Sequence, residues 1–597
     1  FLSQGIGEIG AAVIGPFHKG PAFVPTVVNT QSEFEEIFGT PDGSYYTGYT
    51  VQNYLREAGT VTIVRVGHQG GYTQTKPIAI VSVDDASNSQ ILGTLFETHN
   101  GPGTLVSSSI EAAVSASSFA ITVTGSDTIS ASISPADGND LGDVFGTNPR
   151  GSKSSYVYNY FEKASADSIT DGQTQISLIT LADQVYGDIQ HSSTPWIQSQ
   201  LVSGERHNLF KLHTIGDGTV YNKEYKVSIF NVKAAGSSNA TDYATFSLMI
   251  RGNSDTDKRK SVLETYNNLN LDPASPNYIK KVIGDRNLVI DANGKQTENG
   301  DYVNRSKFVR VETVAEGAHP IVAGPFGHDK YSNPSFVGNI GSHGLGESII
   351  PSVLFSTGSD ANTSSKSISF SGIDLETPQV KIDNNNYLSP IPTGATQGGN
   401  TVFAFDGTVS VVGGTKAFGY QLTGSLSSDM NKRQFSVSFQ GGFDGINPTV
   451  SIDKGTDISS GNSQGFNLST STAAGSVAYV KAIASVSNPD DFDINLVSVP
   501  GIVRRHHSYV FDKAVDMCEA REDCFFIGDV VGAGDSISQA IEQGNAVDSN
   551  YVGTYYPWVK TIDSRTNKLI SVPPSVLMPG IYASNDAVAA EWFAPAG

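Results

Sequence analysis

The residues with the most chemical capacity in this chain gather toward its carboxy-terminal end. Arg504-Arg-His-His507 follows the apolar run Asn495-Leu-Val-Ser-Val499 and the turn Pro500-Gly501. In doubly wound sheets ligands bind outside the carboxyl ends of the strands. Histidines there can act as general acids or bases, and Asp490, Asp491 and Asp493 can pair with the arginines. The simpler reading is an exposed basic helix start or a subunit contact, and it is the one we adopt. Gly528-Asp-Val-Val-Gly-Ala-Gly534 lies between a predicted strand and a predicted helix, where backbone amides can cradle phosphate. No P-loop lysine follows it, and a tight strand-to-helix turn accounts for it. Gly5-Ile-Gly-Glu-Ile-Gly10 matches G-x-G-x-x-G, but a dinucleotide site needs a strand before and a helix after. Here a strand follows, which leaves a flexible Gly-rich lead-in. Gly461-Asn-Ser463-Gln-Gly465 has nucleophile-elbow spacing without the strand-turn-helix that lifts the serine toward a histidine. Asn253, Asp255, Asp257 and Glu264 imitate an EF-hand, yet Lys258 stands where glycine makes the sharp turn. Cys518 and Cys524 lack companion histidines for a zinc site and are expected as buried, reduced packing residues. No catalytic set, metal or cofactor is expected.

The elements that must position these groups alternate. At the amino end, Ala11-Ala-Val-Ile-Gly15 reads as a strand, with Gly20-Pro21 turning into the extended Val24-Pro-Thr-Val-Val28. Thr30-Gln-Ser-Glu33 fits a capping box and Gly39 a left-handed stop. A second helix is expected over 45–58, leading to the β-branched strand Thr60-Val-Thr-Ile-Val-Arg-Val66. The last 150 residues give helix 473–486, strand 495–499, helix 506–521, strand 524–528 and helix 535–544. That period argues for a partly parallel sheet covered on both faces. Between the two ends, 72–205 and 330–440 are Ser/Thr/Gly-rich series of short strands. Residues 206–329 carry strands 209–213, 225–229 and 246–250, with helical candidates at 258–268 and 276–284.

The expected class is therefore α/β plus β. Residues 1–71 and 441–597 form a discontinuous α/β core, 72–205 an inserted β-rich unit of barrel or sandwich type, 206–329 an α+β middle unit, and 330–440 a second β-rich insertion. Length agrees, since 597 residues at about 150 per domain give roughly three to five domains.

Composition narrows the function. The chain has 38 Lys+Arg against 59 Asp+Glu, a net charge of −21, and only 16% charged residues, against about 25% in typical soluble proteins. Nucleic-acid binding needs a basic stripe. The short runs Asp257-Lys-Arg-Lys260 and Arg504-Arg-His-His507 do not supply one, so a grip on nucleic acid is excluded as the main activity. No apolar run approaches the ~20 residues of a membrane span and no secretory leader opens the chain, so a soluble, non-secreted protein without membrane insertion is expected.

Both ends of the sequence resemble the sheath proteins of contractile bacteriophage tails. The amino-terminal likeness is Gly10-Ala-Ala-Val-Ile-Gly15-Pro16, Gly20-Pro21-Ala-Phe-Val-Pro25, Val27, Phe34, Phe38-Gly39-Thr-Pro41 and the strand Val61 to Val66. The carboxy-terminal likeness is Asn550-Tyr-Val-Gly-Thr-Tyr-Tyr556-Pro557-Trp558-Val559, Val572-Pro573-Pro574-Ser575, Pro579-Gly580-Ile-Tyr-Ala583, Asp586 and Trp592-Phe-Ala-Pro-Ala-Gly597. Between them lie Phe210-Lys-Leu-His-Thr214 with Asp217-Gly218, Glu264-Thr-Tyr-Asn-Asn-Leu269 and Gly441-Gly442-Phe-Asp444-Gly445. The likeness spans under half of the chain. Regions 72–205 and 330–440 resemble the variable outer insertions of large phage sheaths.

The resemblance implies a structural subunit, not an enzyme. Sheath subunits polymerise as a helix around a tail tube, between baseplate and tail terminator proteins, and contract to drive the tube through the host envelope for genome delivery. They assemble in the host cytoplasm and reside in the virion. Neighbours are linked by arms that add strands to an adjacent sheet. Arg504, Arg505, Lys258, Arg259 and Lys260 are candidate subunit contacts that would offset acidic neighbours. Family members extend beyond both ends of this sequence, so the chain is expected to be a trimmed or protease-resistant fragment that is monomeric in solution. The alternatives are the sheath of a phage-like injection device, a β-rich host-binding adhesin, and an α/β nucleotide-dependent or hydrolytic enzyme.

Overall fold

All five residues of strand β1, Ala11–Gly15, are buried, and their alternation sends them into two different cores. Ala12 and Ile14 join one hydrophobic cluster, Ala11 and Val13 another. A strand covered on both faces reads as a continuous apolar run, the mark of a parallel sheet. The computed structural model describes residues 10–74, 187–199, 207–233, 243–253, 259–328, 435–452 and 458–588, apart from 292, 440, 448, 453–457 and 564. It also gives isolated residues such as Asp255 and the backbone of short strands within 78–186 and 353–401.

β1 is central in a six-stranded sheet that draws on both ends of the chain. Its neighbours are β2 (Thr26–Val28), β3 (Val61–Arg65), β4 (Leu496–Val503), β5 (Phe525–Asp529) and β6 (Val552–Thr554), in the order β2-β3-β1-β4-β5-β6. Only β2 runs antiparallel to its neighbour. Ala11 stands between Val61 and Leu496, which brings residues 435 positions apart into one register.

Helices α1 (Gln31–Phe38), α2 (Thr47–Glu57) and α6 (Met578–Val588) cover the face that holds Ala11, Val13, Val61 and Ile63. The opposite face is covered by α3 (Ala474–Ala484) and α4 (Arg504–Arg521), whose Tyr479, Ile483, Phe511 and Ala514 meet Ile14, Val64 and Val497. A further helix, α5 (Ile537–Asn545), starts with a full capping box between Ser536 and Gln539. The mixed α/β and β class expected from the sequence is what the described residues form.

The middle of the chain contributes two further sheets around a third core. In one, Asn208–Asp217 pairs with His191–Ser193, Ile197–Ser199 and Val309–Thr313, and Pro325–His328 joins at Ile197–Ser199. In the other the order is Val262–Leu269, Thr245–Gly252, Tyr225–Lys233, Phe435–Ser438. Sheet pairing thus crosses the expected divisions at 205/206 and 440/441. Strands at 191–199 and 435–438 belong to middle-unit sheets, because main-chain pairing takes its partners by space and not by local composition.

The helix expected over 258–268 is corrected to a strand. Val262–Leu269 pairs antiparallel with Thr245–Gly252, opposing Leu248 to Tyr266 and Phe246 to Leu269. Val262, Thr265 and Tyr266 suit a pleated surface, and tertiary pairing overrides the helical spacing. The candidate at 276–284 is a short helix, Ile279–Ile283.

Within 72–205, Gln175–Thr180, Ile78–Val83, Ser89–Glu97 and Tyr156–Tyr160 make a four-stranded antiparallel sheet. Among the described residues no sheet closes on itself, so the barrel form is not formed there. Of 330–440 the structure describes two two-stranded pairings, Val353–Leu354 with Ser367–Ile368 and Thr396–Gln397 with Asn400–Thr401, besides the Phe435–Ser438 strand. No described helix is long and apolar enough to cross a membrane.

Candidate functional site

Each motif with apparent chemistry is held by a structural bond. The basic stretch opens α4 directly after β4. Arg504 donates through Nη1 to Gln543 Oε1 at 3.1 Å and through Nη2 to the Ala546 carbonyl at 3.1 Å, which ties α4 to α5. Arg505 forms an ion pair with Asp535. Asp490, Asp491 and Asp493 are not the partners of these arginines; Asp491 instead accepts from Asn488 at 2.7 Å. His507 is buried. Its Nδ1 accepts from the Val503 N–H at 3.0 Å and its Nε2 donates to the Ser459 carbonyl at 2.8 Å. Burial lowers its pKa to about 4, and the neutral tautomer satisfies both bonds.

The loop after β5 is closed by its own carboxylate. Asp535 Oδ2 accepts from the Gly532 N–H at 2.7 Å, filling the position where a phosphate oxygen would meet backbone amides. Ser463 donates to the Gly501 carbonyl at 2.6 Å and lies in a turn paired with Phe466, so its hydroxyl is a strut between loops. In the EF-hand-like run, Asp255 is held by Arg251 at 2.7 Å and Lys226 at 2.8 Å, while Asp257 lies outside the described residues. Glu264 sits on a strand and accepts from Ser306 at 2.6 Å. Of the first glycine motif only Gly10 is described, and it leads into β1 with its carbonyl taking Asn495 N–H at 2.7 Å. No group of three His, Cys, Asp or Glu among the described residues is placed to hold a metal ion. Cys518 and Cys524 are free and buried, 3.2 Å apart.

The terminal pieces that carry the sheath resemblance gather on the core sheet and its covering helices, while Phe210–Thr214 and Glu264–Leu269 lie on the middle-unit sheets. Gly15 ends β1 where a Cβ would strike the Thr47 side chain, and Pro16 is buried beside it. Gly20 donates to Tyr221 Oη at 2.9 Å, and Pro21 follows it, also buried. Gly39 stops α1 with φ +85°, and Pro41 packs on Gly48 of α2. Tyr556 donates to the Asp535 carbonyl at 3.4 Å, Pro557 follows, and Trp558 Nε1 donates to the Val531 carbonyl at 2.8 Å. The Trp558 ring meets Tyr46 edge-on at 5.7 Å. Pro573 and Pro574 are buried and lead into Ser575, whose hydroxyl and N–H both reach Asp529. Gly580 of α6 lies against the Asn53 carbonyl of α2. Gly442 is buried, Gly445 has φ +68°, and Asp444 lies 3.4 Å from Arg65. Trp592 and Lys258 lie outside the described residues, while Arg259 and Lys260 are exposed just before Val262–Leu269.

Two polar clusters escaped the sequence reading. Arg65, at the end of β3, is 3% exposed and donates to the carbonyls of Phe17 at 3.1 Å, Gly20 at 2.7 Å and Asp217 at 2.6 Å. The second is a relay in the middle sheet. Arg310 lies 3.3 Å from His191, His191 3.0 Å from His213, and His213 2.6 Å from Glu312. Burial takes the His191 pKa down to about 3 and lowers that of His213. A charged residue inside a β-branched run, such as Arg65, and a His facing an Arg across strands, His213 opposite Arg310, were the available signals. Compared with known proteins, the chain matches no family model and no curated protein.

Proposed function

We propose that this chain is a structural subunit of a contractile bacteriophage tail sheath. It polymerises with other copies around a tail tube, contacts baseplate and terminator proteins, and shortens to drive the tube through the host envelope. One observation carries the reading. Sequence pieces resembling sheath proteins come from both ends of the chain, and their residues meet on one sheet and on the helices α2 and α6 that pack against each other on one face of it. Contraction of such an array needs only a few kcal/mol of added contact per subunit, because the gain multiplies over many copies. The series 72–205 and 330–440 are outer decorations in this reading. The virion is the site of action, and neither a catalytic step nor a cofactor is part of it.

Negative-stain microscopy of the full-length gene product tests the class. Long hollow tubes are the expected result, and compact monodisperse particles would overturn it. For the 597-residue chain alone, sedimentation is expected to give a monomer; rings or tubes would refute that part.

A further inference from the structure

A cleft of about 640 Å³ lies between the turn and helix α1 of the core unit and the strands of the middle unit. Its apolar walls include Phe23 and Ile37 on one side and Leu288, Ile290 and Phe308 on the other. Arg310 also lines it. Among the described residues the guanidinium makes one hydrogen bond, to Nε2 of His191 at 3.3 Å, a neutral partner that leaves most of its five N–H donors unspent. The carboxylates nearby are committed elsewhere. Glu312 is held by His213 at 2.6 Å, and Asp217 accepts the Ala22 N–H at 2.7 Å. Burial raises the pKa of the Asp217 carboxyl, while the Ala22 N–H and the Arg65 and Arg310 charges pull it down. Tyr225, 6% exposed, lines the same cleft with its ring 5.2 Å from Phe308 and its hydroxyl without a described partner. Of the other charges along the cleft, Arg286 pairs with Glu298, Lys481 sits over the Phe23 ring, and Asp188 and Glu33 accept backbone N–H groups, while Glu36 and Lys307 line it as exposed residues of opposite charge.

A planar guanidinium fork matches a carboxylate bidentately, and Phe23, Ile37, Leu288 and Ile290 give the same cleft apolar surface. We propose that this cleft binds a small amphipathic carboxylate, its head on Arg310 and its apolar body against Phe23, Ile37, Leu288 and Ile290. The proposal is independent of the sheath reading.

Calorimetric titration of the whole chain with octanoate, 1-octanol and inorganic phosphate tests it. Saturable one-to-one binding of octanoate is expected, with octanol and phosphate each weaker by about tenfold or more. Arg310→Gln should weaken octanoate by about tenfold or more and leave octanol unchanged. Tyr225→Phe should weaken octanoate less, and Leu288→Trp, which fills the cleft, should abolish binding. Circular-dichroism melting checks that each variant folds. If Arg310→Gln does not fold, Leu288→Trp and the octanoate-to-octanol ratio decide. Absent octanoate binding, equal affinity for octanoate and octanol, equal affinity for octanoate and phosphate, or undiminished binding by a folded Arg310→Gln or Leu288→Trp protein would each overturn the proposal.

Discussion

Arg65 braces the boundary between the core and middle units through three hydrogen bonds, two to the core-unit turn at Phe17 and Gly20 and one across to Asp217 of the middle unit, and replacing it by methionine measures what that junction is worth. Methionine keeps a flexible stem of similar length and removes every donor. Three carbonyls then lose a charged partner: Phe17, Gly20 and Asp217, at 3.1, 2.7 and 2.6 Å. The contacts to the His18 carbonyl and Asp444, both at 3.4 Å, are long and add little. A hydrogen bond to a charged group contributes about 1.5–3 kcal/mol, and a buried acceptor left without a donor costs about 1–3 kcal/mol. Gly20 keeps one donor, the Asp217 N–H at 3.1 Å, and the adjoining cleft is lined by Asp217, so water can reach that carbonyl. The expected loss is therefore about 3–5 kcal/mol, the range for breaking a buried charged network. Arg65→Lys keeps the charge without the fork and should lose about half as much. Urea unfolding followed by tryptophan fluorescence reads these losses, with limited proteolysis separating the unit that opens first, since a chain of several units need not unfold in two states. A loss under about 1 kcal/mol for Arg65→Met, with an unchanged denaturant slope, would refute the argument that this residue holds the junction.

Burial pushes the Asp529 carboxyl up to about 7, against the pull of the Ser575 hydroxyl at 2.5 Å and N–H at 3.1 Å. A raised acid contributes stability that is present below 3.8 and lost as pH rises through about 7. Asp529→Asn should therefore be the more stable protein at pH 8, by up to about 4 kcal/mol, and the advantage should vanish by pH 4; a pH-independent difference between the two unfolding curves would contradict this. Gly501 has φ +89° and no room for a Cβ against Gln464, so Gly501→Ala should cost about 2 kcal/mol or more in thermal unfolding. Glu522 caps α4 in the left-handed conformation, φ +64°, and is exposed. Glu522→Gly should raise stability by about 0.5–1 kcal/mol, and a lowered melting temperature would count against it.

The core sheet was legible because its strands are buried on both faces. Ala11–Gly15 reads as an unbroken apolar run and Val61–Arg65 as a β-branched run ending in an arginine, and the helices between the last strands end within a few residues of where composition put them. The first cap was nearly right. Thr30 accepts from Glu33 N–H, but the Glu33 carboxylate takes the Asn29 N–H, one residue earlier than a capping box requires. What composition missed depends on distant partners. Strand Val262–Leu269 exists because Thr245–Gly252 lies beside it. Asn208–Asp217 and Tyr225–Lys233 recruit strands from beyond the expected divisions at 205 and 440. The Arg65 junction needs the Asp217 carbonyl, 152 residues away, and no local pattern contains that pairing.

The residues on which the proposed sheath likeness rests have a common physical character. At Gly20, φ is +103° and a Cβ would lie 2.7 Å from the Phe38 ring. At Gly580 a Cβ would lie 2.9 Å from the Asn53 carbonyl, so α6 can approach α2 only without a side chain there. Trp558 and the Pro573-Pro574 pair fix the chain against Tyr46 and beneath Asp529. A likeness carried by shared chemistry would concentrate on groups with unspent proton or electron-pair capacity. This one concentrates on close approach, turn geometry and aromatic packing, which preserve the shape and stiffness of a scaffold. Stiffness is what a subunit must keep if it is to slide past its neighbours as a body and transmit force instead of absorbing it. The packing character of these positions suits the mechanical role proposed for the chain.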